Sequence, residues 1–307
     1  MLYLLVAILC GALFSVIFKL CQRRGISTLW VILFNYVTAA VVSWGSLFVT
    51  QASGGAAVVN PFAQGWVWLA ALQGLLFMAG FSVMAGCTKA CGVALTNVAA
   101  RASLIVPVIL SWLLLGQPAP AWLSVVLVIV ALVLIALAGE GTAGGTAQGA
   151  GAKKSILQRP LVILLLVFMF YGISDFSLKL VQNSVQQQCG TDEALLDSSL
   201  SALTGTIFLM AAVISLLVAI CRPKDKRPAY SLRGILAGVA LGLANLCCTA
   251  GMLRALTVLS TDVFYPLYNI GVVVMGMLAG VIFFKEKLRP LQYAGLAIAI
   301  IAIVLFF

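Results

Sequence analysis

Apolar residues run along this chain in long blocks, and polar residues are confined to short breaks between them. A helix needs roughly 20 mostly apolar residues to cross a bilayer. On that measure the pattern predicts helices at about 2–20, 28–50, 65–88, 93–115, 120–138, 160–182, 198–220, 233–255, 260–284 and 288–306. The breaks carry turn or charge chemistry, as in Gln22-Arg23-Arg24-Gly25, Gly116-Gln117-Pro118 and Lys285-Glu286-Lys287. The expected fold class is an all-α membrane protein of ten transmembrane helices, arranged as two inverted five-helix repeats.

Three segments follow from the spacing. Residues 1–138 form a first five-helix repeat, 139–159 a flexible linker rich in Gly, Ala and Thr, and 160–307 a second five-helix repeat. A shift of 160 lays Phe18-Lys19-Leu20 on Leu178-Lys179-Leu180, Gln22 on Gln182 and Ser15 on Asp175. A shift of 165 lays Ala85-Gly86 on Ala250-Gly251, Lys89 on Arg254, and Thr96-Asn97-Val98 on Thr261-Asp262-Val263. Five is odd, so two copies of the unit enter the membrane in opposite senses. That is the architecture of many secondary transporters.

Composition excludes several classes. Hydrophobic types make up 63% of the 307 residues, charged types 8%, and mean hydropathy is +1.17. A soluble domain carries about 25% charged residues. The net charge of +10 does not indicate nucleic-acid binding, because its Lys and Arg lie in short loops between apolar runs. Those loops follow spans 1, 5, 7 and 9, so the charge rule puts both termini outside; the expected location is a bacterial inner membrane. Met1–Leu20 lacks a basic leader and reads as a retained first helix. Seven of the eight Cys lie in or beside apolar runs and read as small packers, with Cys189 alone in a polar loop. The sequence contains no His and no nucleotide-binding Gly-Lys-Ser loop. No enzyme, cofactor or metal site is expected. The expected partners are the lipid bilayer, a small-molecule substrate and, as candidate coupling ions, protons, with the chain a monomer or homodimer.

Charge inside a bilayer needs a reason. Asp175 lies mid-span in Gly172-Ile173-Ser174-Asp175-Phe176-Ser177. It is read as a coupling or substrate-contacting carboxylate, with an i+4 ion pair to Lys179 as the plainer alternative. Arg101 stands about two turns into the fourth span, facing Asp262 or a substrate anion, or else marks a later start of that span. Tyr265, Tyr268 and Asn269 surround Pro266, which frees a backbone carbonyl that a ligand could use; aromatics near a helix end as interfacial belt residues are the alternative. Asn97 and Asp262 complete the candidate substrate-binding or coupling set, and Asn35, Tyr36 and Thr38 are weaker candidates. Lys19 with Lys179, and Lys89 with Arg254, are candidate gate or mouth residues; snorkelling to headgroups is the alternative. Gly234-x-x-x-Gly238-x-x-x-Gly242 and Gly276-x-x-x-Gly280 are read as close-packing faces.

Two stretches carry a family resemblance. One runs from Ala94-Leu95-Thr96-Asn97 through Arg101 and Pro107-Val108 to Gly116-Gln117. The other runs from Asp262-Val263-Phe264-Tyr265-Pro266 to Phe284-Lys285-Glu286-Lys287, then Gln292-Tyr293-Ala294-Gly295. The pattern resembles the drug/metabolite transporter superfamily, in particular its ten-helix EamA-like exporters. Those show a Pro-Val in the fourth helix, a Gly-Glu at its end and a Gln-x-x-Gly opening the fifth. Here Gly116-Gln117 lacks the Glu and Lys285-Glu286 lacks the Gly. The resemblance implies secondary transport, with export expected, of a small metabolite or drug by alternating access through a cavity between the halves. In small four-helix relatives an acidic residue in the first helix does the coupling. Many relatives place both termini in the cytoplasm, opposite to the charge count. The alternatives are a nucleotide-sugar or lipid-linked anion carrier of the same fold, and a scaffold or pore with no substrate cycle.

Overall fold

The computed structural model describes residues 1–54, 59–91, 99–140, 160–221, 231–284 and 290–305. Among these residues the fold is all-α. The helices are α1 (Leu2–Arg23), α2 (Thr28–Ala52), α3 (Val67–Cys91), α4 (Ile105–Leu115), α5 (Trp122–Glu140), α6 (Pro160–Cys189), α7 (Glu193–Cys221), α8 (Leu232–Val258), α9 (Thr261–Phe284) and α10 (Pro290–Val304). A short 3-10 turn, Pro61–Ala63, precedes α3. Residues Thr28–Ala52, Val162–Cys189, Glu193–Cys221, Leu232–Val258 and Thr261–Phe283 are long and apolar enough to cross a membrane. Large apolar side chains such as Val41, Phe48, Leu236 and Ile282 stand exposed along these helices, as lipid-facing surface does.

Several expected boundaries move. The fourth span is not one helix: residues 99–102 are helical, Ser103-Leu104 turn, and α4 resumes at Ile105. Pro107 has no N–H to bond the carbonyl one turn earlier, and the ladder tightens ahead of it. Val106 N donates to Ser103 O at 2.9 Å, and Ser103 Oγ to Ala100 O at 2.6 Å. The sixth span is longer than expected. The 30 residues of α6 measure about 45 Å at the helical rise, well beyond the roughly 30 Å hydrocarbon core. Cys189 is therefore no loop residue. It ends α6, buried, with its thiol 3.5 Å from Ser199 Oγ. Gly190, at φ +58, then turns the chain toward α7. Asp192 Oδ1 accepts from Leu195 N at 2.9 Å in the first turn of α7.

The chain divides into two compact units, each discontinuous: Met1–Met78 with Ser177–Leu259, and Ala79–Phe176 with Ser260–Phe307. Both draw on residues before and after the 139–159 segment.

In the first unit α8 packs against α1 and α2, and α2 also packs against α7. Glycines allow this closeness. A methyl added at Gly242 would lie 2.6 Å from Asn35 O and 2.8 Å from Thr38 Cβ, and one at Gly238 only 2.6 Å from Phe34 Cβ. Gly251 approaches Tyr3 O in the same way. At Gly238 and Gly242 the stripe thus does what its spacing suggested, whereas a methyl at Gly234 would meet nothing nearer than the Ile26 side chain at 3.3 Å. Across the same interface Asn245 Nδ2 donates to Asn35 Oδ1 at 3.2 Å, both residues buried. Gly276 on α9 behaves otherwise: an added methyl would meet nothing within 4 Å, so no close approach occurs there among the described residues.

In the second unit α5 packs along α10, and α9 contacts α4 and α5. A small core of Ala99, Ala100 and Val167 is surrounded by Val83, Ile163, Leu164, Phe168 and Tyr171.

Candidate functional site

Five of the residues picked out from the sequence come together within the second unit. Small residues make this possible. A methyl added at Gly172 would sit 2.5 Å from Val106 Cβ, and Ala99 and Ala100 pack on Val167. The middle of α6 therefore abuts the broken stretch 99–106, and this sets Asp175 near Arg101.

Arg101 sits at the end of the first helical piece, half-buried. Its Nη1 donates to Asn269 Oδ1 at 3.1 Å. Asn269 Nδ2 donates to the Tyr265 carbonyl at 2.9 Å, and the Tyr265 hydroxyl donates to the Asp175 carbonyl. The Arg101 guanidinium carbon lies 6.0 Å from the Tyr268 ring centroid, within cation–π range. Tyr268 in turn stacks nearly parallel on Phe264 at 5.7 Å. Arg101 is thereby linked to the α6 backbone at Asp175 through Asn269 and Tyr265.

The chemistry of this arrangement is plain. Arginine has five N–H donors in a fixed fork, and among the described residues only one donates a hydrogen bond here. Asp175 is half-buried as a residue, on the turn of α6 that the Tyr265 hydroxyl meets. Cation, carboxylate, phenol and amide thus converge in a low-dielectric setting, where each polar contact to a guest molecule is stronger than in water. Among the described residues no group of three or more His, Cys, Asp or Glu could hold a metal ion.

The other predicted residues fall elsewhere. Asp262 lies in the first turn of α9, and its buried Oδ1 has no hydrogen-bond partner among the described residues. The Arg101 hydrogen bond goes to Asn269 rather than to Asp262. Lys179 is buried in the first unit, with Nζ donating to Gln182 Oε1 at 2.7 Å and to Leu256 O at 2.8 Å. The i+4 ion pair with Asp175 is not among its described bonds. Gln182 continues to Gln186 at 2.7 Å, so a polar ladder climbs α6 beside the last turn of α8. Arg254 pairs with Asp197 at 3.0 Å, with side chains 21% and 66% exposed. Asn97 and the side chains of Lys19 and Lys89 lie outside the described residues. Asn35 is a packing residue of the α2–α8 interface.

Sequence reasoning missed two residues. Tyr171 stands one turn before Asp175 on α6, its hydroxyl 3.2 Å from Met84 Sδ; its i−4 spacing from Asp175 was the available signal. Gln117 joins the start of α9 to the α4–α5 connection, as described below. A cavity of about 330 Å3 in the first unit, lined by Gly65, Trp66, Leu69, Ser184, Gln187 and Gln188, contains none of the charged candidates.

The fold and these buried polar clusters define a multi-pass integral membrane protein whose apolar helix faces contact lipid. Residues 191–307 match the EamA-like transporter family. EamA-like proteins are transporters of the drug/metabolite transporter superfamily, and this stretch of the chain is similar to them. An uncharacterized protein of Haemophilus influenzae is 26% identical over 306 residues, covering 98% of this chain and 95% of its own length. A crystal structure of a protein superimposes with a TM-score of 0.71 at 16% identity, covering 99% of this chain and 95% of that one. The latter likeness speaks to the fold alone.

Proposed function

We propose that this chain is a secondary active transporter that exports a small metabolite or drug by alternating access. In this reading ten helices cross the membrane as two inverted repeats, 1–138 and 160–307, joined by 139–159, in a bacterial inner membrane. Arg101, Tyr268 and Asn269 contact the substrate. Asp175 takes a proton in one facing state and releases it in the other. Tyr265 holds the α6 backbone at Asp175 and so sets where that carboxylate stands.

The observation that carries this reading is the chain of contacts from Arg101 to Tyr268 and Asn269, and on through Tyr265 to the backbone at Asp175. Residues from both sequence halves supply it, and charges kept within a bilayer mark substrate or ion pathways. Among the described residues the guanidinium donates only one hydrogen bond, which also favours a ligand that carries an anionic group, since the fork of Arg matches carboxylate and phosphate.

A thermal-shift panel on detergent-purified protein tests this. Amino acids, amines, organic acids and sugar nucleotides are added to wild type, Arg101→Gln and Asp175→Asn. A ligand at 100 times its dissociation constant stabilises the folded state by about 2.7 kcal/mol. A compound that shifts wild type but not Arg101→Gln supports the reading. A compound that shifts all three alike places the binding site elsewhere.

A further inference from the structure

The connection between α4 and α5 reaches across to the start of α9. Gly116 ends α4 in the left-handed region at φ +64, a conformation glycine adopts without strain. This turn presents Gln117, which sits half-buried. Its Oε1 accepts from the Thr261 backbone N at 3.0 Å and also from Thr261 Oγ1. One amide oxygen from 144 residues away therefore satisfies a donor that the first turn of a helix leaves open.

What lies along α9 gives this latch its meaning. Tyr265, Tyr268 and Asn269 follow Thr261 by one to two turns. Between them Pro266 breaks the ladder and leaves the first turn less firmly tied to the rest of the helix. The rotation of α9 about its axis decides whether Asn269 Oδ1 meets Arg101, and an anchor at Thr261 fixes that rotation. We propose that Gln117 is a positioning residue: through Thr261 it holds α9 so that Asn269 and Tyr268 stand against Arg101. The assignment rests on the reading of that cluster as the substrate site. Its test uses no substrate, so the two fail separately.

The chemistry also accounts for an amide where the resembled family carries Glu. The latch needs one acceptor oxygen. Both side chains supply it, and a carboxylate is additionally favoured beside a helix N-terminus.

The test measures how firmly Arg101 is held. Full-length protein in detergent is treated with p-hydroxyphenylglyoxal, which modifies guanidinium groups, and the rate at Arg101 is followed by peptide mass spectrometry. Gln117→Ala raises that rate roughly threefold to tenfold, the range for loss of one ordinary hydrogen bond. Gln117→Glu leaves it within about twofold of wild type. Asn269→Ala raises it similarly, and Gln117→Ala adds nothing further in that background, because both act on one contact. A general loosening of the fold would instead multiply the two effects. An unchanged rate in folded Gln117→Ala, or multiplied effects in the double variant, overturns the proposal. Should Gln117→Ala not fold, Thr261→Val removes the hydroxyl donor and keeps the backbone N–H. It then raises the rate in the same direction, and an unchanged rate there overturns the proposal equally.

Discussion

Replacing Gly242 with Ala puts a methyl where the α2 backbone already lies. The new Cβ would sit 2.6 Å from Asn35 O, 2.8 Å from Thr38 Cβ and 3.3 Å from Asn35 C. Ordinary contact for a Cβ begins at 3.4 Å, so the helices must part by about 0.8 Å, a distance found by subtracting 2.6 from 3.4. The carbonyl belongs to a hydrogen-bonded helix and cannot swing aside as a side-chain tip could. Separation also stretches the Asn245–Asn35 bond from 3.2 Å to about 4 Å, beyond hydrogen-bonding reach. Overpacking of this kind costs about 1–3 kcal/mol, and a side-chain hydrogen bond between membrane helices is worth about 0.6 kcal/mol. The intrinsic helical preference for Ala over Gly, up to about 1 kcal/mol, offsets part of this. The net loss of about 1–2 kcal/mol lowers the unfolding midpoint by about 2–8 °C at 2–4 °C per kcal/mol. Gly276→Ala is the control, because its methyl meets nothing within 4 Å and only the propensity gain remains. Thermal unfolding of the two variants in the same detergent decides the matter. A Gly242→Ala protein as stable as Gly276→Ala would refute the reasoning.

Other substitutions have definite expected outcomes. Lys179→Met leaves Gln182 Oε1 and Leu256 O without their donor, and two buried acceptors unmet destabilise the protein by about 2 kcal/mol or more, read as a lowered midpoint in the same thermal assay. Arg254→Gln breaks a pair whose carboxylate is 66% exposed; it shifts stability by under about 1 kcal/mol, and high salt shrinks the difference further. Asp175→Asn removes the one group assigned to carry a proton, so in proteoliposomes substrate flux driven by a pH gradient is lost while substrate exchange at equal pH persists.

Much of the fold was legible because lipid leaves the backbone little choice. Buried backbone groups with no water to bond must close on themselves as helices, so helix positions follow from apolar runs. The close approach at Gly238 and Gly242 was readable for a similar reason, since small residues four apart let backbones approach. Gly276 shows the limit of that rule. Spacing says that a helix could approach, and only the packing says whether one does. The break at Ser103-Leu104 was hidden in an apolar run, although Pro107 marked it. In the candidate site, Arg101 and Asp175 were legible through the expense of membrane charge, and Tyr265 and Asn269 through Pro266. Their joining was not legible, because 168 residues separate Arg101 from Asn269 and no periodicity reports such a distance. Lys179 looked like a mouth residue from its place near the end of an apolar run. The extra length of α6, ending in Gln186-Gln187-Gln188-Cys189, carries it instead into a buried polar ladder.

The central claim is that the cluster around Arg101 handles a transported molecule. Flux in proteoliposomes tests it most directly, using the compound that stabilises wild-type protein in the thermal panel. Vesicles preloaded with unlabelled compound should accumulate the labelled form through wild-type protein. Arg101→Gln should lose most of that counterflow while keeping its folded, monodisperse state. Equal counterflow through both proteins would contradict the account and move the site away from Arg101.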